Sequence, residues 1–268
     1  MEETIITLEH IRKRYGKNEV LSDVSMEIRR GDIYGLIGCN GAGKTTIFKI
    51  ILGLTDFHGG TVRVGKEGDS LEKGRKRIGF AIGQHFFSYM NAVENLKYYS
   101  ALKNVKAGGE IERVLKLVDL YGVKTKVGGY SLGMHQRLGI AAAMLGNPEV
   151  MIFDEPVNGL DPQGIADIRN LFQTTNTQYG TTIIISSHIL GELQNTANRF
   201  AILNNGMIVR ELSDDDLRAD NNVIRLSVDD LERARYILEC EGISILKSER
   251  EHVSLEDYYF EQIGGGER

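Results

Sequence analysis

The period of the apolar positions shifts along the chain from about two to about 3.6 and back. Up to about residue 82, short apolar or alternating runs dominate. Residues 4–9, 20–28, 32–37, 61–64 and 77–82 each read as a strand. One helix interrupts them at 46–52, with Ile47, Ile50, Ile51 and Leu54 spaced to share a face. From about Asn91 the pattern turns helical. Asn91 and Glu94 have capping-box spacing ahead of Leu96, and Ile111, Val114, Leu115 and Val118 recur at helical intervals. Ser131 precedes a long helix through Ala141 and Ala143 that stops before Pro148. Residues 85–147 therefore read as a helical insert between strands.

Strands resume at 150–153 and 181–186, with a helix between them opened by Asp161 as cap and Pro162 at its first position. Asn205-Gly206 between 200–203 and 207–210 is a hairpin signal. Beyond about 215 the character changes. Asp214 to Asp216 and Asp220 to Asn222 read as a linker. A strand (223–228), a helix (229–241), a strand (243–246) and a final helix capped near Ser254 follow. This pattern predicts a large domain over 1–215 and a smaller α/β region over 216–268.

Composition narrows the picture further. The hydrophobic fraction of 41% suffices for a sizeable core. A net charge of −5 argues against general nucleic-acid binding. The basic runs at 12–14 and 75–77 read as solvated loop or edge residues. Cys39 and Cys240 lie too far apart to suggest a disulfide or zinc framework and fit a reducing compartment. No basic-then-apolar leader opens the chain, and no run of about 18 apolar residues is present. His10, His58, His85, His135 and His252 show no metal-ligand spacing.

The most specific chemistry lies in Gly38-Cys39-Asn40-Gly41-Ala42-Gly43-Lys44-Thr45, which fits a P-loop and stands between a predicted strand and helix. Glycines there let successive N–H groups turn toward a phosphate chain, and the helix adds its positive end, at Thr46 as well. Lys44 reaches the terminal phosphates and Thr45 offers its hydroxyl to Mg²⁺. A buried-looking strand later delivers two acids. Asp154 is placed to hold Mg²⁺, and Glu155 to face a water at the γ-phosphate.

A third element, Tyr130-Ser131-Leu132-Gly133-Met134, stands upstream of those acids. With Gly159-Leu160-Asp161-Pro162 and Ser186-Ser187-His188, the order of motifs resembles the nucleotide-binding domain of ATP-binding cassette (ABC) proteins over roughly 1–213. Residues 130–141, 158–165, 186–190 and 254–260 resemble bacterial exporter ATPases of the bacitracin-resistance and lantibiotic-immunity type. The resemblance implies an α/β fold: a P-loop core sheet with an antiparallel β subdomain, the helical insert and the small C-terminal appendage. It implies ATP, with Mg²⁺, sandwiched between two protomers, taken as a homodimer. Ser131 and Gly133 of one copy would close over the γ-phosphate held by the other, although Tyr130, Leu132 and Met134 depart from the family's Leu-Ser-Gly-Gly-Gln.

By the same resemblance His188 contacts the γ-phosphate and steadies Glu155, Asp161 joins the protomers, and Tyr15 stacks on adenine. Gln84 is the metal- and nucleotide-contacting glutamine, with its register against Gly83 open. Phe86, Phe87, Tyr89 and Met90 follow that loop, where a membrane subunit would dock. Phe87 or Tyr89 is expected to be exposed. The implied function is the ATP-hydrolysing subunit of an exporter, peripheral at the cytoplasmic face of the membrane through separate permease subunits. The alternative is a soluble ABC ATPase of a non-transport complex. A generic P-loop kinase or GTPase leaves Ser131, Gly133 and His188 unexplained.

Overall fold

The computed structural model describes residues 3–83, 85–219, 228 and 230–241. Its consecutive apolar runs fold as strands buried on both faces. In β3 (Ile33–Ile37), β6 (Val150–Asp154) and β7 (Thr182–Ser187), alternate side chains enter opposite cores. Ile33, Met151, Phe153, Ile183 and Ile185 join one cluster, while Tyr34, Leu36, Val150, Ile152 and Ile184 join the other. That is how a parallel sheet looks when both faces are covered. With β5 (Ile78–Ala81) and β8 (Arg199–Asn204), these strands run in parallel in the order β8-β3-β7-β6-β5.

The antiparallel part lies at the other end of the sheet. β1 (Thr4–Tyr15) sits between β2 (Asn18–Arg29) and β4 (Gly59–Val64), antiparallel to both. β9 (Met207–Ser213) returns along β8, and the Asn205-Gly206 turn has positive φ at both residues, 46° and 73°. That is the twist a two-residue hairpin loop needs. A single register pair, Asp23 with Met207, joins the antiparallel strands to β9.

One core sits between this antiparallel part and the central sheet, filled by Ile47, Phe48, Ile50 and Ile51 of α1 (Lys44–Leu52). The opposite face carries α5 (Leu132–Met144), α6 (Pro162–Tyr179) and the insert helices α3 (Ala92–Leu102) and α4 (Gly108–Leu117). Phe153 of β6 stacks on Phe172 of α6 at 4.7 Å between ring centroids. Asn91 and Glu94 form the expected capping box of α3.

Several expectations are corrected. Leu54 does not share the buried face of α1: Gly53 takes a left-handed conformation (φ 74°), ends the helix, and leaves Leu54 56% exposed. The run at 75–77 is solvated only at Lys76, which is exposed. Arg75 closes a short helix, α2 (Leu71–Arg75), and donates to the carbonyls of Ile50 and Ile51 at the end of α1 (2.9 and 2.8 Å). Arg77 pairs with Asp69 at 2.8 Å. In the other run, Lys13 is buried within β1. Asp214 to Asp216 open a helix (Asp214–Ala219) rather than a linker. Asp216 accepts from the Ser213 N–H and its own N–H bonds back to the Ser213 hydroxyl, so acids stand where a helix start favours them.

The chain divides after Arg218 into two units. In the second, the expected helix is found at Leu231–Cys240, capped by Asp230. The strands expected at 223–228 and 243–246 and the final helix near Ser254 lie outside the described residues, apart from Val228.

Candidate active site

The site forms where β3, β6 and β7 end, the edge at which open α/β sheets place their ligands. From β3 the chain enters the glycine loop. Gly41 and Gly43 adopt φ of 83° and 112°, a region that side chains disfavour. A Cβ at Gly43 would also lie 2.6 Å from Leu21, so the loop bends there only with glycine. Cys39, Asn40 and Gly41 form the exposed rim, and Gly38, Ala42, Gly43 and Lys44 are buried beneath it.

Lys44 is only 6% exposed. Its Nζ donates to the carbonyls of Gly38 (2.6 Å) and Cys39 (3.3 Å) and lies 3.1 Å from Glu155 Oε1. Thr45, next on α1, donates its hydroxyl to Asp154 Oδ2 at 2.6 Å. Glu155 follows with φ of 51°, an uncommon conformation for a non-glycine residue and one that clusters at functional sites. Its Oε2 accepts from His188 Nδ1 at 2.7 Å; a carboxylate only accepts, so Nδ1 carries the proton. The structure thus joins Gly38, Lys44, Thr45, Asp154, Glu155 and His188 in one network.

Sequence reading passed over Ser186. Its hydroxyl donates to Asp154 Oδ1 at 2.7 Å and accepts from the Glu155 N–H at 2.9 Å. The available signal was a polar residue ending a run of buried isoleucines.

Tyr15 stands at the edge of the site, 48% exposed, with Lys13 Nζ 4.7 Å from its ring centre. A hydrogen bond with Thr55 lowers its phenol pKa, helped by Lys13, Thr46 and Lys49 and opposed by burial.

Ser131, Gly133 and Asp161 form a second cluster. Ser131 caps α5 by accepting from the Met134 N–H at 3.2 Å. Asp161 caps α6 by accepting from the Gly164 N–H at 2.9 Å. A Cβ on Gly133 would meet Leu160 at 3.5 Å, and one on Gly159 would meet Leu132 at 2.8 Å, so the two loops pack together. Ser131 and Leu132 are exposed. Gln84 lies outside the described residues. Of the aromatic group after it, Tyr89 is 63% exposed, Phe87 is half-buried, and Phe86 packs edge-on against Tyr99.

The donor set suits a magnesium–nucleotide complex. Among the described residues no three His, Cys, Asp or Glu side chains gather to hold a metal alone. One hydroxyl and one carboxylate 2.6 Å apart instead suit a hard cation that takes its other ligands from phosphate and water. Glu155 Oε1 is buried, and its one close partner is the Lys44 ammonium at 3.1 Å.

The sequence profile of the ABC transporter family matches residues 21–158. The chain is 34% identical to the bacitracin transport ATP-binding protein BcrA of Enterococcus faecalis over 98% of both chains. It is 36% identical to the lantibiotic transport ATP-binding protein SrtF of Streptococcus pyogenes over 77% of this chain and 90% of that one. Among solved structures it is similar to the dimeric bacterial ABC transporter cassette MJ0796. There the TM-score is 0.70 at 25% identity, covering 78% of this chain and 99% of that one.

Proposed function

Because the chain belongs to the ABC transporter family, as an ATP-hydrolysing subunit related to bacitracin and lantibiotic transport ATPases, we propose that it powers export of a peptide antibiotic or similar drug. Its working form is a dimer, most simply of two identical copies, on the cytoplasmic face of the membrane and held there by separate permease subunits. Relatives named for transport and a dimeric cassette of the same fold support this reading. No helix among the described residues is long and apolar enough to cross a membrane.

The observation that carries the proposal is the continuous link from Lys44 through Glu155 to His188, with Thr45 and Asp154 beside it. The loop amides and the start of α1 receive the phosphates. Lys44 is balanced by Glu155 and two carbonyls, and an arriving polyphosphate competes for its ammonium. Thr45 and Asp154, with Gln84 as a further ligand, would hold Mg²⁺, which would supply neutralisation of the phosphate charge. Tyr15 takes the adenine. Glu155 orients a water toward the γ-phosphorus and accepts its proton as the bond to the ADP oxygen breaks. His188 fixes the carboxylate for that task. Ser131 and Gly133, with the positive end of α5, serve the nucleotide of the partner copy, and Asp161 links the copies.

Glu155→Gln tests this. The variant is expected to bind ATP as wild type does, hydrolyse it at least about 100-fold more slowly, and persist as an ATP-bound dimer in light scattering. Turnover at the wild-type rate sinks the assignment.

A further inference from the structure

We propose that Ser186 is a positioning residue that sets both acids of the site, the Asp154 carboxylate through its hydroxyl proton and the Glu155 backbone through its oxygen. The inference rests on the reading of Asp154 as metal-holding and Glu155 as water-orienting.

Three observations carry it. First, Ser186 is fully buried, at 0% exposure, directly after Ile183, Ile184 and Ile185. An apolar side chain would extend that run, so a buried hydroxyl there needs partners. Second, Asp154 and Ser186 are register partners on the adjacent parallel strands β6 and β7. The sheet itself therefore fixes their separation, and the hydroxyl meets Oδ1 at 2.7 Å. Third, the Glu155 N–H points at the same Oγ at 2.9 Å. An amide can only donate, so the Ser186 oxygen accepts there and its single proton is committed to Asp154.

This arrangement divides the work on Asp154. Thr45 donates to Oδ2 and is also the hydroxyl assigned to the metal. Ser186 is not assigned to the metal, so its proton remains the one that holds the carboxylate. At Glu155 it satisfies an amide in a left-handed turn, with φ of 51°, that an L-residue rarely adopts. Loss of the hydroxyl would free the Asp154 rotamer and the turn that aims Glu155, while the phosphate loop kept its shape.

The test uses the full-length protein with Mn²⁺ as the metal probe. Mn²⁺ is titrated into the ATP complex and read by electron paramagnetic resonance, alongside metal-free ATP affinity and kcat. Ser186→Ala is expected to lower Mn²⁺ affinity and kcat by about 10–100-fold and to leave metal-free ATP affinity within about threefold. Ser186→Thr, which retains the hydroxyl, is expected to recover both. Wild-type Mn²⁺ affinity and kcat in the Ala variant overturn the proposal, as does a folded Thr variant as impaired as Ala. Hydrogen exchange on the wild type needs no variant. The Glu155 amide should exchange as slowly as the central strands, and free exchange overturns the proposal. Failure of the site reading looks different: Lys44→Ala would bind ATP like wild type while the slow Glu155 amide remained.

Discussion

His188 Nδ1 donates to Glu155 Oε2 at 2.7 Å, tying the residue after β7 to the residue after β6. The bond leaves the other ring nitrogen free of Glu155 on a side chain that is 34% exposed. Glu155 is thereby held from two sides, by His188 on Oε2 and Lys44 near Oε1. His188→Ala removes one hold without touching the glycine loop. Its kcat is expected to fall about 10²–10³-fold, the usual cost of losing one well-placed charge-stabilising donor. ATP affinity by fluorescence titration should change little. A variant with normal kcat would show that Glu155 needs no such support.

The glycine loop was legible because its conformation is local: strand, loop and helix are contiguous, and the residue types that permit the bend announce it. Asp154 and Glu155 were legible because they end an apolar strand abruptly. Ser186 was not, since its role depends on the register of β7 against β6, a relation between residues far apart in sequence. The error at Leu54 has the opposite origin. Helical spacing continues past Gly53 on paper, but a left-handed glycine ends the helix one residue earlier. Arg75 and Asp214 to Asp216 show that a charge run reads the same whether it is solvated, caps a neighbouring helix or starts its own.

Lys103 gives a prediction about pH. It follows α3 and donates to the carbonyls of Ala142 (2.9 Å) and Ala143 (3.2 Å) near the end of α5. Burial lowers its ammonium from 10.5 to about 8. Below that value the folded and unfolded chains both carry the proton, and the folded state bears a buried charge. Between about 8 and 10.5 the unfolded chain holds the proton more tightly, so stability from this group rises with pH. The slope is at most about 1.4 kcal/mol per pH unit. Urea unfolding of wild type and Lys103→Met from about pH 7 to about pH 10 isolates the term. The difference should move in favour of wild type as pH rises, and a flat difference would contradict the buried ammonium.

Tyr89 offers a test of the membrane partnership. Phe86 turns inward to pack against the insert core, but Tyr89 stays 63% exposed, and Phe87 bridges it to Tyr98 with ring centres 5.8 and 5.0 Å away. Tyr98 is itself 45% exposed, so the cluster presents aromatic surface. Aromatic residues are enriched at the buried centres of interfaces, where they combine large area with few rotatable bonds. A charge placed there would be stranded on docking, whereas in the free subunit it stays in water. Tyr89→Asp is therefore expected to leave thermal stability within about 0.5 kcal/mol of wild type. Nucleotide binding by the purified subunit should be equally unaffected. Co-purification with the membrane subunit should fall at least about tenfold, the loss expected at an interface hot spot. Wild-type recovery of the complex would overturn the docking role of Tyr89.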